Sequence, residues 1–118
     1  MIEDLVTYDT GKALANIGFK YKTRWLFKLD GTGVFYCPNS IRCPQCVKAP
    51  TLEQAAKFLR DKGFHVNVSY ALAKEKWSYT LTKLNGGYAY VKIQFYDTYE
   101  AALSAGIDQS IKFLNNKI

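Results

Sequence analysis

Pro50-Thr51-Leu52-Glu53-Gln54-Ala55-Ala56-Lys57-Phe58-Leu59-Arg60-Asp61-Lys62-Gly63-Phe64 is the stretch on which the reading of this chain turns. Pro50 closes a loop. Thr51-Leu52-Glu53-Gln54 has the Ser/Thr-x-x-Glu/Gln form of a capping box, in which the two end residues satisfy each other's backbone N–H. Leu52, Ala55, Ala56 and Leu59 recur at helical spacing with Phe58 beside them, which predicts a buried helical stripe. Gly63 stops that helix and Phe64 opens a strand. Downstream, 64–72, 76–84 and 88–96 read as a three-stranded meander. Asn85-Gly86-Gly87 is the turn between the last two strands, where glycine supplies the positive φ required. A third helix begins at Thr98, with Asp97 and Glu100 suited to the positive end of its dipole. Leu103, Ile107, Ile111 and Leu114 form its stripe, Ala102 and Gly106 allow close packing, and Lys112 and Lys117 sit toward its negative end.

The same signals run upstream. Thr7 caps a helix that reaches Ile17, with Leu14 and Ile17 facing inward, and Gly18-Phe19 ends it. Strands over 23–29 and 34–37 flank Asp30-Gly31-Thr32-Gly33, a hairpin turn. Two helices thus end in Gly-Phe and feed a strand, a match too short to make a repeat. The segment 38–50 is a polar loop holding all three prolines. The predicted order is α-ββ-α-βββ-α: an α+β fold of antiparallel sheet with helices packed on one face. No long linker divides it. The expected organisation is a single domain, 1–118, with an α-ββ unit over about 1–37, the loop, and an α-βββ-α unit over 51–118.

Composition bounds the function. The 118 residues suit one domain, and 48% hydrophobic with 15% aromatic content is enough to fill a core. Apolar runs such as Trp25-Leu26-Phe27 fall far short of the ~20 residues of a membrane span, so no membrane partner is expected. The N-terminus, Met1-Ile2-Glu3-Asp4, lacks the basic and apolar regions of a secretory signal, and the expected location is cytoplasmic. Three clustered cysteines do not make a disulfide framework. A net charge of +6 favours anionic partners, DNA or RNA foremost. Surplus lysines also serve solubility alone.

Alternation sorts the meander into faces. Phe64, Val66, Val68, Tyr70 and Leu72 of its first strand point to the core, with Trp77, Tyr79 and Leu81 of the second. In the last strand the apolar set, Ala89, Val91, Ile93 and Phe95, is expected inward. That leaves His65, Asn67, Ser69, Lys76, Ser78, Thr80, Thr82, Tyr88, Tyr90, Lys92, Gln94 and Tyr96 outward. Aromatics and lysines on a sheet stack bases and hold phosphates. The same face suits a protein partner or a second copy of the chain. Cross-strand tyrosines also stabilise a half-exposed sheet with no ligand. A second basic feature is Lys20, Lys22, Arg24 and Lys28, which share parity if 19–29 is extended. Such a row suits a phosphate backbone; on a plain edge strand it would block unwanted pairing.

No catalytic set emerges. Cys37, Cys43 and Cys46, with His65 as a fourth ligand, are the one zinc-like grouping, and Cys43-x2-Cys46 has knuckle spacing. A second ligand pair is missing, and His65 falls on the outer face by parity, so free thiols and no cofactor are expected. With one histidine and no partner beside it, nucleophilic catalysis has no base. The glycine-rich stretches join strands and open no helix, so they are turns rather than phosphate loops.

Three segments carry a resemblance. Val6-Thr7-Tyr8 opens a helix ending Gly18-Phe19. Ala49-Pro50-Thr51-Leu52-Glu53-Gln54-Ala55 runs on to Phe58-Leu59-Arg60. Tyr96-Asp97-Thr98-Tyr99-Glu100-Ala101-Ala102 precedes Gly106-Ile107. Together they resemble uncharacterised small proteins of Bacteroides-type gut bacteria and their phages and mobile elements, which implies a bacterial or phage setting and supplies no active site. The second half is also similar in order to double-stranded RNA-binding domains. That family places lysines where this chain has Asp97, Thr98, Tyr99 and Glu100, the opposite charge. Phe95-x-Asp97-Thr98-x-Glu100-Ala101 after three strands is similar to the arm-binding domains of phage integrases. That likeness puts Lys76, Tyr90, Lys92 and Gln94 on DNA, and the α-ββ unit in front departs from it. The combined expectation is a non-enzymatic binding module of phage or mobile-element type. Lys20, Lys22, Arg24 and Lys28 would meet phosphates, with Lys76, Tyr88, Tyr90, Lys92 and Gln94 on bases or backbone. The alternative is a protein-interaction module or homodimer using the same face.

Overall fold

The structure is a computed structural model that describes residues 4–19, 21, 23–28, 31–36, 47–84, 88–91 and 94–115. In chain order it contains α1 (Tyr8–Asn16), β1 (Trp25–Phe27), β2 (Val34–Tyr36), α2 (Leu52–Asp61), β3 (Phe64–Ala71), β4 (Lys76–Lys83), β5 (Tyr88–Val91) and α3 (Tyr99–Asn115). The α+β fold and the predicted element order stand. The chain forms two units, Met1–Ala55 and Ala56–Ile118, with the division inside α2.

The helix ends follow the side-chain chemistry. Thr7 Oγ1 accepts from the Thr10 N–H at 3.2 Å. At the other end of α1, Gly18 N–H donates to Ala15 C=O and Phe19 N–H to Leu14 C=O. That is a Schellman stop, and Gly18 takes it at φ +95°. Thr51 N–H donates to Gln54 Oε1 at 3.0 Å, and Gln54 N–H donates back to Thr51 Oγ1 at 3.1 Å. The capping box of α2 is therefore complete, and Gly63 closes that helix at φ +100°. Thr98 Oγ1 caps α3 through the Ala101 N–H at 3.0 Å.

In the first unit, β1 is a central strand. β2 pairs with it antiparallel, setting Trp25 opposite Tyr36, Leu26 opposite Phe35 and Phe27 opposite Val34. On its other side, Phe27 N–H donates to Val47 C=O and Ala49 N–H donates to Trp25 C=O. Residues 47–49, expected as loop, thus act as a third strand. The same ribbon continues: Val6 N–H donates to Pro50 C=O, and Leu52 N–H donates to Asp4 C=O. α1 packs on the Phe27 side, where the Tyr8 and Phe27 rings meet edge-on at 5.4 Å. The core of this unit includes Val6, Leu14, Phe27, Ala49 and Leu52.

The second unit is a three-stranded antiparallel sheet, in the order β3-β4-β5, under α3. Leu81, Phe64, Val66 and Tyr79 are buried from the sheet, and Ala102, Leu103, Ile107 and Ile111 from the helix. α3 lies so close that a Cβ at Gly106 would come within 2.5 Å of Val66 Cγ1. The hydroxyl of Ser110, fully buried, donates to the Gly106 carbonyl at 2.9 Å. Burial fades along β3: Tyr70 is 44% exposed, and Leu72, beyond its end, 82%.

The last strand departs from expectation. β5 ends at Val91, and Tyr96 pairs with Trp77. Thr80 is opposite Val91, so between the two pairings this segment has two residues more than β4. The register also sets Tyr90 opposite Leu81, Tyr88 opposite Lys83 and Ala89 opposite Thr82. Opposed positions of an antiparallel pair share a face. The positions of Tyr88, Tyr90 and Tyr96 therefore fall on the side of Trp77 and Leu81, which α3 covers. Those of Ala89 and Val91 fall with Thr80 and Thr82. The expected place of the tyrosines, opposite the helix, is corrected by this register, while His65, Asn67, Ser69, Ser78, Thr80 and Thr82 keep the outer face.

Candidate functional site

The register of the first unit brings basic and aromatic residues together. Leu26 is opposite both Phe35 on β2 and Lys48 on the ribbon. Lys28 continues the same pairing, its N–H donating to Gly33 C=O at 2.8 Å. Lys28, Phe35 and Lys48 thus occupy one side of the small sheet, around Leu26 and away from α1. Phe35 is 38% exposed and Leu26 only 9%. Lys48 Nζ donates to the Tyr21 carbonyl at 2.9 Å. A neutral acceptor orients the ammonium without cancelling its charge.

Arg24 stands at the bend before β1. With Trp25, Ala49, Thr51 and Gln54 it lines an open cleft of about 270 Å³. The Trp25 ring meets that of Tyr36 at 5.2 Å and 64°. Tyr36 is 54% exposed, so an aromatic pair borders the cleft.

This differs from the predicted basic row. Only Arg24 and Lys28 of its four cations are described; Lys20 and Lys22 lie outside the described residues. β1 is three residues long, bent at one end and turned back into the hairpin at the other. Buried Leu26 interrupts the row between Arg24 and Lys28. Nor is β1 an edge strand, because it is paired on both sides. Lys48 and Phe35 were not singled out from sequence. The signal for Phe35 was the hairpin turn, which fixes the register once β1 is known. Lys48 had no such signal, since its pairing is made by a loop.

The sheet candidates of the second unit disperse. Lys76 pairs with Asp97. The hydrogen bond from Lys76, and then its charge, hold the Asp97 carboxyl below the usual carboxylate range. Gln94 is exposed outside any strand, and Lys92 lies outside the described residues. In their place is an aromatic cluster at the end of β3 and β4. Tyr70 meets Trp77 edge-on at 5.0 Å, and Trp77 meets Tyr99 at 5.4 Å. Leu72 and Phe95 are also exposed. Parity assigned Tyr70, Leu72 and Trp77 to the core; Trp77 meets the first residue of α3, but Tyr70 and Leu72 are left exposed.

Of the zinc candidates, Cys37, Cys43 and Cys46 lie outside the described residues. His65 sits opposite Thr82 on the outer face. Among the described residues no group of three metal-ligating side chains converges, and no helix is long and apolar enough to cross a membrane. No protein-family model, curated protein or solved structure matches the chain.

Proposed function

We propose that this chain is a non-enzymatic binding module whose first unit holds single-stranded DNA or RNA. The observation that carries the reading is the shared side of Lys28, Phe35 and Lys48; Arg24 lines a cleft with Trp25, whose ring meets that of Tyr36 on the Phe27 side. Cations spaced along a small sheet meet consecutive phosphates, and exposed rings offer bases a stacking surface. A cytoplasmic location in a bacterial or phage setting suits such a module. Zinc has no role in it, and protein purified without chelator is expected to carry only substoichiometric metal by elemental analysis.

Fluorescence anisotropy with a labelled random oligonucleotide tests this. Engagement of Arg24, Lys28 and Lys48 predicts a log–log salt slope of about −2 for a single strand. Charge reversal, Lys28→Glu with Lys48→Glu, is expected to weaken binding by roughly a hundredfold. No binding to any oligonucleotide at low salt would sink the reading.

A second reading is favoured by the Tyr70–Trp77–Tyr99 cluster with Leu72 at its border: a protein-interaction module. Tyrosine and tryptophan are enriched where proteins meet, and Asp97 and Glu100 beside the cluster disfavour a polyanion. Binding through this patch would persist as salt rises.

A further inference from the structure

The edge of the second unit formed by β3 carries none of the usual guards. The strand runs regularly for eight residues, Phe64–Ala71. It pairs with β4 on one side and, among the described residues, with nothing on the other. Edge strands of monomers are blunted by lysine, proline, bulges or brevity. β3 contains no Lys, Arg, Asp, Glu or Pro and matches β4 without a bulge.

The phase of the ladder says which groups are free. Leu84 N–H donates to Gly63 C=O at 2.8 Å, so the odd residues of β3 bond to β4. Trp77, opposite Tyr70, spends both its N–H and its C=O on Tyr96. The backbone groups of Phe64, Val66, Val68 and Tyr70 therefore point to the open edge.

Residues 64–70 read Phe-His-Val-Asn-Val-Ser-Tyr. By residue type this is a palindrome: aromatic, polar, valine, asparagine, valine, polar, aromatic. An antiparallel strand paired about Asn67 would set Phe64 against Tyr70, Val66 against Val68, and His65 against Ser69. That register engages every outward backbone group on both strands, about eight hydrogen bonds in all. It places aromatic against aromatic and β-branched against β-branched on the side of α3, the favoured cross-strand pairs. It also covers Tyr70, which the chain alone leaves 44% exposed. A molecule with a net charge of +6 repels its own copies, and this neutral strand is where two copies can meet without opposing charges.

We infer that the β3 edge is a self-association site. A second copy of the chain adds its own β3 antiparallel across a two-fold axis at Asn67, giving a continuous six-stranded sheet. The contact is isologous and closed. It uses the second unit alone and is independent of the nucleic-acid reading.

Sedimentation and light scattering on the full chain, up to about 100 μM, test it. The expected mass is twice the 13.4 kDa of one chain. Val68→Pro removes only an outward N–H and should give a monomer with an unchanged circular dichroism spectrum. Asn67 is exposed, so Asn67→Lys tests the same edge without touching the core. It sets like charges at the axis and should raise the dimer dissociation constant at least tenfold. Mixing it with Asn67→Asp should restore a dimer of one of each. A wild-type chain that stays monomeric at the highest concentration overturns the inference. So does Asn67→Lys dimerising as tightly as wild type.

Discussion

The two units solve the same packing problem with different materials. In each, a helix glycine lets backbone approach sheet: Gly11 of α1 over Phe27 and the ribbon, Gly106 of α3 over Val66 and Tyr79. The second unit does this with eight-residue strands and a 17-residue helix. The first has strands of three residues and a nine-residue helix. Its sheet is completed by stretches of chain without strand periodicity. What holds the second unit is side-chain burial along regular elements. The first depends more on backbone bonds between distant segments.

The largest test of this contrast is Gly106→Val. A Cβ there would already overlap Val66, and the branched side chain adds volume with nowhere to go. The expected loss is about 3 kcal/mol in urea unfolding, at the upper end of overpacking costs. Gly11→Val should cost less, about 2 kcal/mol. There the nearest atom, at 2.9 Å, is the edge of the Phe27 ring, which can turn, although the Lys48 carbonyl at 3.0 Å cannot. A larger effect at Gly11 than at Gly106 would reverse the ranking of the two interfaces.

Next comes the cap of α2. Thr51→Ala removes the Thr51 hydroxyl that accepts from the Gln54 N–H, one half of the reciprocal bond. A loss of about 1 kcal/mol is expected, read from the urea midpoint. Amide exchange should sharpen the comparison further. The β3–β4 ladder is expected to be the slowest to exchange, and the bonds of the 47–52 ribbon to open sooner.

The smallest effect belongs to Asp97→Asn. The Lys76–Asp97 pair lies in solvent, where such pairs contribute little. Its pH dependence still has a definite sign. The Asp97 pKa is lowered in the folded state, so its contribution is present above the ordinary aspartate value and fades as pH falls through the folded one. Wild type and variant should therefore differ slightly at neutral pH and converge in acid. Thermal unfolding of both across that range checks it.

The helices were legible because their ends are written in side chains. Thr51 with Gln54, Thr98, and Gly18 with Phe19 fix caps locally, without reference to the rest of the fold. Pairing between strands is not local. Parity sorted Val66 from Asn67 correctly within β3, but it cannot say which set of β5 joins which set of β4. The apolar Val91 was aligned with the core, whereas the register aligns Tyr90 with it. Leu72 and Tyr70 have the periodicity of core residues, yet α3 does not reach over them. In the first unit, nothing in Val47-Lys48-Ala49 between prolines announces a strand. Its role comes from Trp25 and Phe27 needing partners on a second side. Lys48 stayed unread for that reason.

The bonds joining 4–6 to 50–52 have a consequence for the order of assembly. The N-terminal segment meets its partner only after some 45 further residues have been made, so this closure is a long-range contact with a high entropic threshold. On a chain emerging from its N-terminus, α1 and the β1–β2 hairpin are synthesised well before the ribbon that ties them together. They must wait, with the buried faces of Val6 and Phe27 still wet, until residues 47–52 are free of the ribosome. The capping box that begins α2 is therefore also the last stitch of the first unit.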